Sequence, residues 1–177
     1  MDKVARICWN TNAWKRPSGS EGKSKDPKSY ENIQGFGHEE WLLDSTKNID
    51  GYHYAFLQPM NRDLHRTPKA VYNIHLFTYH NHKKYYIGCL KKAIGVGPVE
   101  SKKVYEHYCK MGWIKEMKES VVNVKGKVAD FDPEFMFNVK FKIPEAQLFL
   151  PNPQIIKNFK GIRYSSLMNL RETFELE

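Results

Sequence analysis

The chain has 177 residues, of which 41% are hydrophobic and 14% aromatic, with a formal net charge of +8 and a pI near 9.3. That length and aromatic content argue against a disordered chain and predict one domain, residues 1–177, with a sizeable core. The basic surplus predicts an acidic partner, nucleic acid ahead of an anionic membrane, and no apolar run approaches bilayer length.

Cys8, Cys89 and Cys109 are far apart and form no CxxC, which excludes a zinc ribbon and a disulfide framework. The opening MDKVARICW has no apolar signal core. The expectation is a soluble, cytoplasmic chain with free thiols, no metal and no cofactor.

In chain order, residues 3–9 predict a first strand, apolar on both faces and therefore central. Composition then shifts to Asn, Pro, Ser, Gly and Lys across residues 10–29, which predicts a long loop. Its stretch 14–29 is basic, and Lys15, Arg16, Lys23, Lys25 and Lys28 suit phosphates; a disordered surface insertion over residues 18–28 is the competing reading. Residues 30–34 predict a helical turn closed by Gly35, and residues 51–58 an aromatic strand stopped by Pro59. Arg62, His65, Arg66 and Lys69 form a second basic loop. Residues 71–79 and 84–90 predict a hairpin joined through His80-Asn81-His82-Lys83. Two amphipathic helices are predicted between Pro98 and Val124, broken at Gly112, with Trp113 at the break. Residues 135–143 (FMFNVKFKI) predict a strand with Asn138, Lys140 and Lys142 on its outer face. Residues 162–170 predict a terminal segment or short helix.

Chemistry concentrates in residues 7–44. Trp9, Trp14 and Trp41 fall close to Asn10, Asn12, Arg16 and His38. Flat rings beside short amides suit a pocket that stacks a planar ligand and reads its edge by hydrogen bonds. The competing reading makes the tryptophans core residues and the asparagines turn residues. HEEWL is not a zinc-protease helix, because Leu42 stands where HExxH needs its second His, and the deaminase PCxxC is missing. No nucleophile elbow, Walker loop or GxGxxG occurs. Asp130, Asp132, Glu134 and Lys140 follow the order of a metal-dependent nuclease, but Asn138 occupies a place where such a site needs an acid. His80 and His82 have no carboxylate or thiol beside them in sequence to complete a metal site.

The order of elements carries a resemblance. A first strand ending in CWNTNAW leads to EEWLLD, then to the hairpin VYNIHLFTYHNHKKYYIGCLKKAI, a helical insertion and the exit FMFNVKFKIPEAQLFL. Residues 3–150 resemble the PUA-like superfamily in its YTH and EVE branch, and the opening is similar to the DNA-recognition modules of modification-dependent (type IV, McrB-like) restriction systems. The resemblance implies an α+β fold, a curved mixed β-sheet or barrel with flanking helices. It implies a binding module rather than an enzyme, with any motor or nuclease in another domain or subunit and this chain a fragment of a larger protein. The implied partner is duplex DNA carrying a methylated or hydroxymethylated base, flipped into an aromatic cage. The matching cage positions are Asn10 and Trp41, with Trp113 or a Tyr as a further wall. With the residue reading, the expected base-binding set is Trp9, Asn10, Asn12, Trp14, Trp41 and Trp113. The expected phosphate-binding set is Lys15, Arg16, Lys23, Lys25, Arg62 and Arg66. An RNA-binding domain of the same fold and a small metal-dependent nuclease are the alternatives. The loop 14–29 departs from the usual YTH pattern, which leaves the identity of the modified base open.

Overall fold

The computed structural model describes residues 1–61, 70–128, 131–132, 136–157, 167–170 and 174–177. The fold is α+β: among the described residues, an eight-stranded mixed sheet, two principal helices and one short one. Strand β1 (Asp2–Arg6) lies parallel to β3 (Val71–His80), from Asp2 opposite Asn73 to Arg6 opposite Phe77. A parallel pair needs a long crossover. That crossover begins at Ile7 and contains α1 (Tyr30–Gln34) and β2 (His53–Ala55).

β3 turns into β4 (Lys83–Gly95) through Asn81 and His82, both at positive φ, the geometry of a tight hairpin turn. β4 is the spine of the sheet. One edge pairs with β3, and the other takes β5 (Val139–Phe141), β6 (Gln147–Leu148) and β7 (Gln154–Ile155). Gly88 sits where β6 crosses, at φ +139°, with Leu148 Cα 2.8 Å from the place a Cβ would occupy. Only a glycine fits so close an approach. β8 (Met168–Asn169) pairs with β1 at the far side.

Alternation along β1 buries both faces. Ala5 joins Tyr72, Ile74, Leu76, Ile87, Leu90 and Phe141 in the main core, while Val4 joins Phe77, Tyr86 and Ile156 on the other side. The helices α2 (Pro98–Lys110) and α3 (Trp113–Asn123) form a second core. Val104, Tyr108, Ile114, Met117 and Val121 recur at helical spacing and pack on Phe36, Trp41 and Phe137.

Several expectations shift. β1 ends at Arg6 rather than Trp9, and the strand expected over 51–58 shortens to three residues. Of the strand expected over 135–143, the described residues 136–143 are regular only at Val139–Phe141. Asn138, expected on its outer face, is fully buried. Its Oδ1 accepts from Leu57 N at 2.8 Å and its Nδ2 donates to Leu57 O at 3.1 Å. A side-chain amide thus replaces a ladder partner for Leu57, just past the end of β2. β4 runs five residues beyond its predicted end, which lets it collect β5. No helix among the described residues is long and apolar enough to cross a membrane.

Candidate functional site

Where β1 leaves the sheet, its ladder is taken over by a carboxylate. Ile7 N still donates to Phe77 O at 2.9 Å, but Cys8 N donates to Glu39 Oε2 at 3.0 Å. Glu39 Oε1 accepts from Gln58 N at 2.8 Å, so one buried carboxylate joins the end of β1 to the segment after β2. Glu39 and Glu40 lie in a 3-10 turn, His38–Trp41, and both are buried.

Glu40 organises the loop. Its Oε1 accepts from Asn10 Nδ2 at 2.8 Å and from Ser18 N at 2.9 Å, and it pairs with Lys23 Nζ at 2.9 Å. Its Oε2 accepts from Gly37 N at 2.9 Å. Both side chains of the Lys23–Glu40 pair are out of solvent, at 2% and 0% exposure. Asn10 completes the network: its Oδ1 accepts from Asn12 N (2.6 Å) and Trp14 N (2.9 Å), and its Nδ2 also donates to Arg16 O (2.8 Å). Two donor hydrogens and two acceptor sites are all an Asn amide has. Asn10 therefore has nothing left to read a ligand edge.

Beside this network lies an open cleft of about 1160 Å3. Its aromatic lining comes from Trp9, Tyr30, His38, Phe56, Tyr79 and His80. Trp9 stacks on His80, and Tyr30 Oη hydrogen-bonds His38 Nε2 at 2.7 Å. His38 also packs on Phe56, with ring centroids 5.5 Å apart. Gln58 and Asn61 add amides, and Lys25 and Arg6 add positive charge. The guanidinium of Arg6 lies 5.7 Å from the ring centroid of Tyr79. Cys8 also reaches the wall, but burial and then the Glu39 carboxylate push its thiol well above the ordinary range, which keeps it protonated and unreactive.

The expected site residues divide. Trp9, Lys23 and Lys25 line the cleft; Asn10, Asn12, Trp14, Trp41 and Trp113 do not. Trp14 is in the main core, its Nε1 donating to Cys8 O at 2.9 Å. Trp41 is in the helical core, edge-on to Phe36 and Phe131. Trp113 packs against Tyr108 at 4.8 Å on the helical side. Asn12 is spent locally, donating to Pro17 O at 2.9 Å. For Trp14 and Trp41 the core reading is the one the packing realises, because each ring is buried in a hydrophobic cluster that a smaller side chain would leave void, while Trp113 is half-buried against the helical one. Lys23, expected on phosphate, spends its charge on Glu40, while Lys15, Arg16 and Lys25 are exposed. Arg62 and Arg66 lie outside the described residues, as do Asp130 and Glu134.

Tyr30, Phe56, Tyr79 and His80 escaped the sequence reading as site residues. The signal available was aromatic residues at the ends of elements, with Phe56 directly after β2 and Tyr79-His80 closing β3. Among the described residues no group of three or more His, Cys, Asp or Glu side chains is placed to hold a metal ion. Asp132 lines the cleft, but Lys140 is bound at 2.6 Å to Glu100. Comparison with family models, curated proteins and solved structures finds no match for the chain.

Proposed function

We propose that the chain is a PUA-like nucleic-acid reader. It takes one modified base, flipped out of duplex DNA, into the cleft at the end of β1, as the recognition module of a modification-dependent restriction system. The observation that carries this reading is the aromatic lining itself: Trp9, Tyr30, His38, Phe56, Tyr79 and His80 converge in one cleft. Extruded bases are held on such faces. A volume of about 1160 Å3 is somewhat above the usual range of ligand sites, which run to roughly 1,000 Å3, and accommodates a base with its sugar.

The surroundings support the same reading. A net charge of +8 favours a polyanion, and the exposed Lys15, Arg16 and Lys25 flank the loop that walls the cleft. Phosphate contacts set affinity, while the rings and amides of the cleft set base preference. Cleavage or translocation then belongs to another domain or subunit.

The test is a binding panel at fixed salt. Duplex DNA and duplex RNA, each plain or carrying N6-methyladenine, 5-methylcytosine or 5-hydroxymethylcytosine, are titrated against the wild type and Trp9→Ala. Preference for one modified DNA duplex, lost in Trp9→Ala, supports the reading. Preference for RNA moves it to the RNA-binding alternative. Equal affinity for all duplexes removes base reading.

A further inference from the structure

One polar atom bordering the cleft is left without a partner. Trp9 Nε1 is buried and meets no hydrogen-bond acceptor among the described residues. An indole N–H is a donor only, so it needs an acceptor to offset its loss of water.

What covers it is the loop segment 18–25. Gly22 lies against the stacked pair of Trp9 and His80. A Cβ there would stand 2.7 Å from Trp9 Cγ and 2.7 Å from His80 Nδ1, and closer still to Trp9 Cδ1, the carbon bonded to Nε1. Gly22 also has φ +68°. The same segment walls the cleft through Ser20, Glu21, Gly22, Ser24 and Lys25.

Most of the bonds that hold the segment down converge on a single group, Glu40, while Ser24 N reaches Glu31 Oε2 at 3.4 Å. Ser18 N, Ser18 Oγ and Lys23 Nζ all reach Glu40 Oε1, at 2.9, 3.3 and 2.9 Å. Lys23 Nζ also lies 3.5 Å from Trp9 O. Its internal turn, Lys23 N to Ser20 O at 3.3 Å, ties it only to itself. An ion pair therefore favours closure, and an orphaned donor opposes it.

We infer that residues 18–25 form a lid, latched at Glu40 and closed over the indole N–H of Trp9. Lifting the lid exposes that donor at the edge of the cleft, where a planar ligand bearing a ring nitrogen or carbonyl oxygen supplies the missing acceptor. The lid needs no nucleic acid to be observed, so its test stands apart from that of the base-reading proposal.

The experiment is hydrogen exchange of the indole N–H groups of the full 177-residue chain, followed by NMR, with Trp9 assigned from the Trp9→Phe variant. Trp14, whose N–H is bonded to Cys8 O within the core, is the internal reference. In the wild type the Trp9 N–H is expected to exchange through local opening, nearly independent of low urea, while Trp14 follows global unfolding and accelerates with urea. Gly22→Ala, which places a methyl group against both rings, is expected to speed Trp9 exchange roughly ten- to hundred-fold and leave Trp14 unchanged. Equal urea dependence at the two indoles overturns the lid. So does a Gly22→Ala variant in which Trp9 exchange is unchanged or rises only in step with Trp14. If that variant does not fold, the urea comparison in the wild type decides alone.

Discussion

The indole of Trp9 and the imidazole of His80 lie face to face, their ring centroids 4.0 Å apart and their planes within 7° of parallel. Trp9 comes three residues after the end of β1, and His80 is the last residue of β3. Because β1 and β3 run parallel, their C-terminal ends reach the same end of the sheet. The pair is a consequence of topology: 70 residues of intervening chain, much of it site-forming, are bracketed by two rings that the ladder brings into contact. Tyr85 in β4 supports Trp9 from the side, with ring centroids 5.7 Å apart.

Trp9→Ala is expected to remove base preference while the domain stays folded. Trp9 is half-buried, and an aromatic pair contributes about 0.5–1.5 kcal/mol beyond its burial. Stacking of a base on an aromatic ring contributes about 1–3 kcal/mol, so affinity for the preferred duplex should drop about ten- to hundred-fold. Trp41→Ala should behave differently, because its ring is in the helical core and its truncation costs about 3–5 kcal/mol. Melting temperature and the ratio of modified to plain affinity, measured on both variants, separate the two roles. A stable Trp41→Ala protein that has lost base preference would return Trp41 to the site.

The lysines of the loop are expected to divide by burial rather than by charge. Lys23→Met breaks a buried ion pair and leaves Glu40 without its cation, a change that costs about 3–5 kcal/mol. For a chain of this size that is about 2–4 °C in melting temperature per kcal/mol. The slope of log affinity against log salt for plain duplex should not change with Lys23. Exposed Lys25 and Arg16 should each flatten that slope by about 0.9 when replaced by Ala if each meets a phosphate, with little change in melting. A salt slope that falls with Lys23→Met but not with Lys25→Ala or Arg16→Ala would reverse this assignment.

Stability should decline on mild acidification, and His53 is a principal reason. It is buried between two carbonyl oxygens, Lys47 O at 2.9 Å from Nδ1 and Trp41 O at 3.1 Å from Nε2. Burial lowers its pKa below the ordinary 6.5 and outweighs those carbonyls, which act the other way. The folded state therefore binds this proton less readily than the unfolded chain does. Stability is full above pH 6.5 and is lost as pH falls from there through the folded pKa. His75, also lowered by burial, adds in the same direction. Melting curves between about pH 7.5 and 5.5 should show a drop that is smaller in His53→Gln. An equal drop in both proteins would assign the effect elsewhere.

Local periodicity was readable along the chain where one face meets one core. The hairpin, both helices and the Gly35 and Gly112 breaks follow from alternation, helical spacing and turn residues. Residues whose partners lie far along the chain were not readable in that way. Glu39 and Glu40 look like solvated charge, yet each is buried because its acceptor oxygens meet backbone amides and a lysine from separate segments. Asn138 looked outward by alternation, but the broken ladder at Leu57 draws it inward. The tryptophan cluster is compact in the sequence, while its members diverge in space: Trp9 lines the cleft, and Trp14 and Trp41 enter different cores.

Asn10 gives the sharpest test of that divergence. It was expected to read a base edge, and the fold uses it as the hub of the loop, with four hydrogen bonds to four groups. Removing it in Asn10→Ala leaves the amides of Asn12 and Trp14 and the carbonyl of Arg16 without those bonds, each at a cost of about 1–3 kcal/mol where water cannot reach. Asn10→Asp should be worse than its shape implies. It keeps the acceptor for Asn12 and Trp14 but loses both donors, and it sets a second carboxylate 2.8 Å from Glu40 in a buried site. Both variants are expected to melt well below the wild type. At a temperature where Asn10→Ala is still folded, its ratio of modified to plain affinity should equal that of the wild type, because the rings of the cleft are intact. An Asn10→Ala protein with wild-type melting and no base preference would show instead that the amide leaves its network to meet the ligand.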